Sequence, residues 1–181
     1  VDLVCKNIFL TGKINVGKST AISKFIEGYL HESSIITGFK TKPFYERGAL
    51  KGYYIESQIP GDNTTILENV VGINGDFGKG KCCYGISEVF EKRGVEILRQ
   101  SLEIPNSIIL MDELGFFEKD AIKFKEQVHK ALYSDHRILG VLKEKRNPFL
   151  DSIATRADVK VIAMTLENRD GIVDEINKYW E

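Results

Sequence analysis

The sequence predicts an α/β fold with three layers, α/β/α, around a mostly parallel central sheet that carries an inserted antiparallel hairpin. Three observations lead there. A glycine-rich turn at residues 12–17 joins an apolar, β-prone run to an amphipathic helical one. An unbroken apolar run, Ser107-Ile108-Ile109-Leu110-Met111, ends in two acids. The second half of the chain alternates strand-like and helix-like segments, the pattern of parallel strands joined by right-handed crossovers. The chain has 181 residues and no internal repeat or linker, so one domain, 1–181, is predicted. At that length folding buries roughly 70% of the surface of the unfolded chain, enough for a substantial core.

Residues 5–11 read as a buried strand, and a helix follows over about 18–31, ending at the polar turn Glu32-Ser33-Ser34. Residues 35–42 and 51–57 are β-rich and flank Pro43 and the turn Glu46-Arg47-Gly48, which predicts the hairpin,. Asp62-Asn63-Thr64 marks a further turn. Short strands are predicted at 67–73 and 81–85, with a flexible loop at 75–80 between them. Ser87 reads as the cap of a helix that runs to about 102 and is interrupted by Gly94. The run at 107–111 is continuous and apolar, as expected at the centre of a parallel sheet. A helix at 119–132 places Ala121, Ile122, Phe124, Val128, Ala131 and Leu132 inward. A strand is predicted at 137–142, followed by a second flexible loop at 143–147. Asn147-Pro148 then reads as an N-cap with proline at the first helical position, opening a helix to about 155,. The last strand is predicted at 159–165, and the final helix begins near Asn168 or Asp170 and ends at Trp180.

The turn after the first strand reads Gly12-Lys13-Ile14-Asn15-Val16-Gly17-Lys18-Ser19-Thr20, a full G-x-x-x-x-G-K-S/T phosphate-binding loop in its strand–loop–helix context,. Gly12 and Gly17 let the backbone turn tightly and approach phosphate without a Cβ in the way. The loop's N–H groups then form an anion nest at the positive end of the following helix. Lys18 supplies a mobile full charge for β- and γ-phosphates, and the Ser19 hydroxyl is the expected Mg²⁺ ligand.

An apolar strand that ends in Asp is the usual partner of such a loop. Asp112 is therefore the second residue expected to hold Mg²⁺, through water, and Glu113 is placed to orient or deprotonate an attacking water. Asp112-Glu113-Leu114-Gly115 also fits the D-x-x-G pattern of guanine-nucleotide switches, but no N-K-x-D tetrad for reading guanine is present. Asn168-Arg169-Asp170 stands at about its place without the lysine. Asn168 reads as a helix N-cap or a base-reading residue at the sheet edge where nucleotides bind. Arg146, in the loop after 137–142, is the first candidate to stabilise transition-state charge, with Arg156 and Arg169 next. Lys143 and Lys145 share that loop.

Lys and Arg total 25 against 26 Asp and Glu, a net charge of −1, which offers no support for binding nucleic acid or an anionic membrane,. No apolar run approaches the ~20 residues of a membrane span. Val1-Asp2-Leu3-Val4-Cys5-Lys6 leads straight into the first strand and does not read as a signal peptide,. Cys5, Cys82 and Cys83 form neither a C-x-x-C pair nor a disulfide framework, and the expected compartment is the cytoplasm,. His31, His129 and His136 lack metal-ligand spacing and read as surface or helix-end residues.

Four segments together resemble the THEP-type nucleoside-triphosphatases, the family that includes the cancer-related nucleoside-triphosphatase. They are 8–20, Gly38-Phe39-Lys40-Thr41, 110–115 with its Asp-Glu-x-Gly, and 165–171 with Asn168-Arg169-Asp170. The resemblance implies a compact P-loop NTPase fold and slow, Mg²⁺-dependent hydrolysis of ATP, GTP and other nucleoside triphosphates to diphosphates. It implies that residues 12–20 bind phosphates and that Leu110, Met111, Asp112, Glu113, Leu114 and Gly115 lie against the nucleotide. Lys42-Pro43-Phe44-Tyr45 stands where members often show Glu-Glu-Val-Arg, and Phe116-Phe117-Glu118 where they often show Lys-Met-Glu. These departures bear on rate and nucleotide preference more than on fold.

Two other functions are compatible with the same residues. A small kinase would transfer the γ-phosphoryl group to a nucleotide or metabolite, with Lys143-Glu144-Lys145-Arg146 as its lid. A slow nucleotide-dependent switch would act through an unidentified protein partner, with Phe116 and Phe117 as a candidate contact patch.

Overall fold

Side chains alternate across a strand, and in the central strands apolar residues fill both faces. The structure, a computed structural model, describes residues 5–30, 34–63, 65–76, 81–115 and 117–180. The chain runs β1 (Asn7–Thr11), α1 (Lys18–Leu30), β2 (Ile36–Glu46), β3 (Ala49–Ser57), β4 (Val70–Asp76), β5 (Lys81–Gly85), α2 (Ser87–Val89), α3 (Val95–Glu103), β6 (Ile108–Leu114), α4 (Ile122–Tyr133), β7 (Arg137–Leu142), α5 (Pro148–Ala154), β8 (Val159–Ala163) and α6 (Ile172–Trp180). The opening Val1 to Val4, His31, Glu32 and Ser33, Thr64, the 77–80 part of the predicted loop and Phe116 lie outside the described residues.

One core takes Ile8 and Leu10 of β1, Ile108 and Leu110 of β6, and Leu139 and Val141 of β7. Helices α1 and α6 cover it, with Phe25 and Trp180 meeting edge to face at 5.2 Å. The opposite core takes Phe9, Ile109, Met111, Ile138 and Leu142. Phe90, Ile97, Leu98, Phe124, Val128, Leu150 and Ile153 of the other helical segments close it. The predicted three layers are therefore present.

The eight strands lie in the order β5-β4-β3-β2-β6-β7-β1-β8. From β2 to β8 every pairing is parallel, and from β2 to β5 every pairing is antiparallel. The predicted hairpin is β2–β3, closed by Arg47 and Gly48, both at positive φ, the geometry that matches strand twist in a two-residue turn,. β4 and β5 continue the hairpin into an antiparallel flank. β2 pairs with β6 as far as Lys40, so Pro43 sits where only β3 is a neighbour and its missing N–H interrupts no second ladder,.

Several local expectations are corrected. Residues 67–69 form a 3-10 turn, and Gly75 and Asp76 belong to β4 rather than to a loop. Ser87 does not cap the helix after β5. It lies inside the first turn and donates its hydroxyl to the Phe117 carbonyl at 3.3 Å. The interruption expected at Gly94 is a π turn at Phe90–Gly94, which joins α2 to α3 in one unbroken helical run. Ile122 begins α4 but is 66% exposed, so it does not face the core. Asn147 does cap α5, accepting from the Leu150 N–H at 2.9 Å with Pro148 at the first helical position.

Phe124 links α4 to the sheet, lying 4.8 Å from Phe90 and 5.8 Å from Phe39 between ring centroids. Phe124→Ala is expected to lower the unfolding free energy by about 3–5 kcal/mol. Urea denaturation checks this, and a loss below about 1 kcal/mol would show that the core collapses around the gap.

Candidate functional site

The phosphate loop is built by close approach. Gly12 and Gly17 take φ of +142° and +109°, and Asn15 sits in the left-handed region at +63°. A Cβ on Gly12 would fall 2.4 Å from the Met164 carbonyl oxygen, so the first glycine is required by packing as well as by the turn. The segment after β8 holds the loop from that side, with the Met164 N–H donating to the Thr11 carbonyl at 2.8 Å. Val16 is buried and anchors the loop, while Lys13, Ile14, Asn15, Ser19 and Thr20 are exposed. Lys18 folds back over the loop, donating to the carbonyls of Gly12 at 2.6 Å and Lys13 at 2.8 Å.

The acids lie one strand further on. β7 separates β1 from β6, so the phosphate loop and Asp112 are not on neighbouring strands. The register sets Lys40 of β2 opposite Asp112. Asp112 is 6% exposed. Burial and the charge of Glu113 push its carboxyl up to about 6, against the opposing pull of Lys40 and Lys18. The charge of Lys18 on the phosphate loop thus lies within reach of this carboxylate. Glu113 follows through a cis peptide. Its N–H donates to the Thr41 hydroxyl at 3.4 Å, and its Oε1 lies 3.4 Å from Lys143 Nζ.

The turns after β6 and β7 are laced together. The Lys143 N–H donates to the Leu114 carbonyl at 2.9 Å, and Asn147 Nδ2 donates to the Gly115 carbonyl at 3.0 Å. The Gly115 N–H donates to the Glu118 carboxylate. Glu118 is buried, which raises its carboxyl despite the N–H donors of Gly115 and its own backbone and the nearby charges of Lys143 and Lys125. A cleft of about 200 Å³ opens beside this lacing, lined by Thr11, Leu142, Lys143, Arg146, Leu150 and Asp151. A larger one, about 440 Å³, lies at the amino-terminal ends of β6 and β7, at the far end of the sheet from the phosphate loop, so size does not mark the site.

Ser19 and Asp112 offer a hydroxyl and a carboxylate, hard oxygen donors of the kind Mg²⁺ takes when phosphate and water complete its shell. The fit is supported by Asp112 itself, a buried carboxylate with its pKa raised, whose charged form a cation would stabilise. Among the described residues no group of three or more His, Cys, Asp or Glu is gathered as a dedicated metal cage.

A family model described as NTPase matches residues 7–177. The chain belongs to this NTPase family. Nucleoside-triphosphatase THEP1 of Methanocaldococcus jannaschii is 32% identical over 174 residues, which cover 93% of this chain and 94% of that protein. The cancer-related nucleoside-triphosphatase homolog of Bos taurus is 31% identical over 186 residues, 96% and 95% of the two chains. The solution structure of a human cancer-related nucleoside triphosphatase matches with a TM-score of 0.75 at 25% identity over 97% of each chain. The crystal structure of THEP1 from Aquifex aeolicus matches with a TM-score of 0.71 at 22% identity, covering 94% of this chain and 96% of that one, a likeness of fold.

Within this NTPase frame the predicted residues separate. Gly12 to Thr20, Asp112, Glu113 and Gly115 lie at the carboxyl edge of the sheet. Leu110, Met111 and Leu114 are fully buried, and Leu110 and Met111 point into opposite cores. Arg146 pairs with Asp151 on the surface at 3.0 Å, and Lys143 is the cation of that loop found at Glu113. Arg156 forks onto Asp158 at 2.8 and 2.7 Å. Asp158 accepts from Asn7 at the start of β1, which puts Arg156 at the opposite edge of the sheet. Arg169 lies beyond β8, 3.9 Å from Asp170. Asn168 makes no side-chain cap of the Arg169–Gly171 turn. It accepts from the Thr165 N–H at 2.8 Å and donates to the Ala163 carbonyl at 2.9 Å. Lys40 and Thr41 fall in a segment that the resemblance marks, and Lys143 in the predicted basic loop, but their places beside Asp112 and Glu113, and that of Glu118 at Gly115, come only from the fold.

The buried charge of Asp112 has a consequence for stability. Its raised carboxyl favours the folded state while protonated, and that contribution is lost as pH rises through about 6,. In nucleotide-free protein with chelator, Asp112→Asn is expected to raise the unfolding free energy at pH 7.5 by roughly 1–3 kcal/mol, with the gain shrinking toward pH 4. Urea denaturation at the two pH values checks it, and an equal gain at both would contradict the buried charge as its cause.

Proposed function

We propose that the protein hydrolyses nucleoside triphosphates, ATP, GTP and others, to the diphosphate and phosphate in a Mg²⁺-dependent reaction. The observation that carries this reading is the convergence of Lys18, Asp112 and Glu113 at one sheet edge, where burial raises the Asp112 carboxyl and the charges of Lys40 and Lys18 offset part of that rise. Loop N–H groups receive the β- and γ-phosphates, and Lys18 moves to them from the Gly12 and Lys13 carbonyls. Ser19 and Asp112 would hold the Mg²⁺, which when bound would offset charge on the phosphate oxygens.

Glu113 orients a water in line with the γ-phosphorus. The water oxygen bonds to that phosphorus as the bond to the β–γ bridging oxygen breaks. The electron pair leaves on the diphosphate, and the water proton passes to Glu113. Broad use of bases follows from the absence of an N-K-x-D tetrad and from Asn168, whose side chain is engaged with its own turn. Two other acids are committed elsewhere: Glu56 to Lys42 at 2.6 Å and Glu118 to the Gly115 N–H. We place the reaction in the cytoplasm, a reading supported by cysteines at positions 5, 82 and 83 that form neither a C-x-x-C pair nor a disulfide framework in the sequence,. Among the described residues no helix is long and apolar enough to cross a membrane.

Glu113→Gln is expected to keep MgATP affinity and lower kcat by about 10²-fold or more, the scale of general-base catalysis. Calorimetric binding and steady-state phosphate release check both halves, and an unchanged kcat would move the base role away from Glu113. Lys18→Ala is expected to abolish MgATP binding or turnover, and normal kinetics in that variant would remove the phosphate loop from the account.

A further inference from the structure

Lys143 has no part in the hydrolytic scheme above. It is the first residue past β7, and β7 stands between the strand that carries the phosphate loop and the strand that carries Asp112 and Glu113. Its backbone is pinned there by the hydrogen bond to Leu114. Its stem crosses Gly115 so closely that a Cβ on that glycine would fall 2.5 Å from the Lys143 Cβ, so Gly115 leaves the channel the lysine occupies. The ammonium then reaches Glu113 Oε1 at 3.4 Å, with the Phe117 ring centroid 5.2 Å away.

We propose that Lys143 is a catalytic cation that distinguishes triphosphate from diphosphate: it pairs with Glu113 and transfers to the γ-phosphate when a triphosphate binds. The inference rests on Glu113 being the residue that orients water. While Lys143 occupies Oε1, that oxygen is not offered to water. Both side chains are about one-third exposed, at 35% and 32%. A partly exposed ion pair of this kind contributes little and is screened by solvent. A γ-phosphate carries more charge and three acceptor oxygens, so it competes well for the ammonium. Release of Glu113 is thereby tied to the presence of the group to be cleaved.

The neighbouring cations are differently placed. Lys18 lies on the phosphate loop, Lys40 faces Asp112, Lys42 pairs with Glu56, and Arg146 pairs with Asp151. Lys143 is the one that bridges the turns after β6 and β7 while touching the residue assigned to water.

Lys143→Met keeps the stem over Gly115 and removes the charge. The test compares its affinity for MgADP and for a non-hydrolysable Mg–ATP analogue with those of the unaltered protein, alongside steady-state phosphate release. The expected result is ADP affinity within about twofold and analogue affinity lower by about 10- to 100-fold, the worth of one hydrogen bond to a charged group. The kcat falls by about 10²-fold, and Lys143→Arg recovers most of both losses. Equal changes for the two nucleotides, or none for either, overturn the proposal. If Lys143→Met does not fold by circular dichroism, Lys143→Gln gives the same comparison. Nucleotide preference is read without turnover, so a failure here is distinct from a failure of the base assignment, which shows only in the kcat of Glu113→Gln.

Discussion

The parallel pairing of β7 with both β1 and β6 is the constraint on which the site depends. It fixes the distance between the phosphate loop and the acids at one intervening strand, and it delivers the residue after β7 into the gap. The separate parallel pairing of β2 with β6 sets Lys40 opposite Asp112. Segments far apart in sequence are then tied in two pairs: Met164 after β8 to Thr11 of β1, and Lys143 and Asn147 after β7 to Leu114 and Gly115 at the end of β6. None of these contacts is local, and none survives a change in strand order.

That dependence explains which features the sequence displays. The phosphate loop is a local object, because its glycines, lysine and hydroxyl follow one another, and its strand and helix flank it directly. The N-cap at Asn147 and the strand at Arg137–Leu142 are equally local and stand where the sequence predicts them. Arg146 looked like the reactive cation because guanidinium suits phosphate and the loop was correctly placed. Only the fold reveals that α5 supplies Asp151 to engage it and that Lys143 is the residue aimed at Glu113. The extent of the antiparallel flank was hidden for the same reason. Two short strands at 70–76 and 81–85 carry no mark of which edge they join. Ile122 misleads because helical spacing alone does not fix where the first turn of α4 meets solvent.

The site also concentrates charge that the fold would otherwise avoid. Asp112 and Glu118 are nearly buried acids within one short stretch, and burial raises both carboxyls. Glu118 is balanced by backbone N–H donors and steadies the turn at Gly115. Asp112 is balanced only in part, by Lys40 and Lys18, which leaves a carboxylate suited to a cation and its phosphate. Stability and chemistry are thus opposed at one residue, a common cost of a preorganised site. Lys143 and Glu113 add a weak pair, about one-third exposed, at the rim, where rearrangement is inexpensive.

The most direct test of the account is phosphate release by the unaltered protein from ATP, GTP, CTP and UTP, each with and without Mg²⁺. The account predicts release from all four nucleotides, at rates within about tenfold of one another, the spread of roughly 1.4 kcal/mol left when no tetrad reads the base, and loss of release without the metal. Release confined to one nucleotide, or tight binding with no release from any, would contradict a general hydrolase.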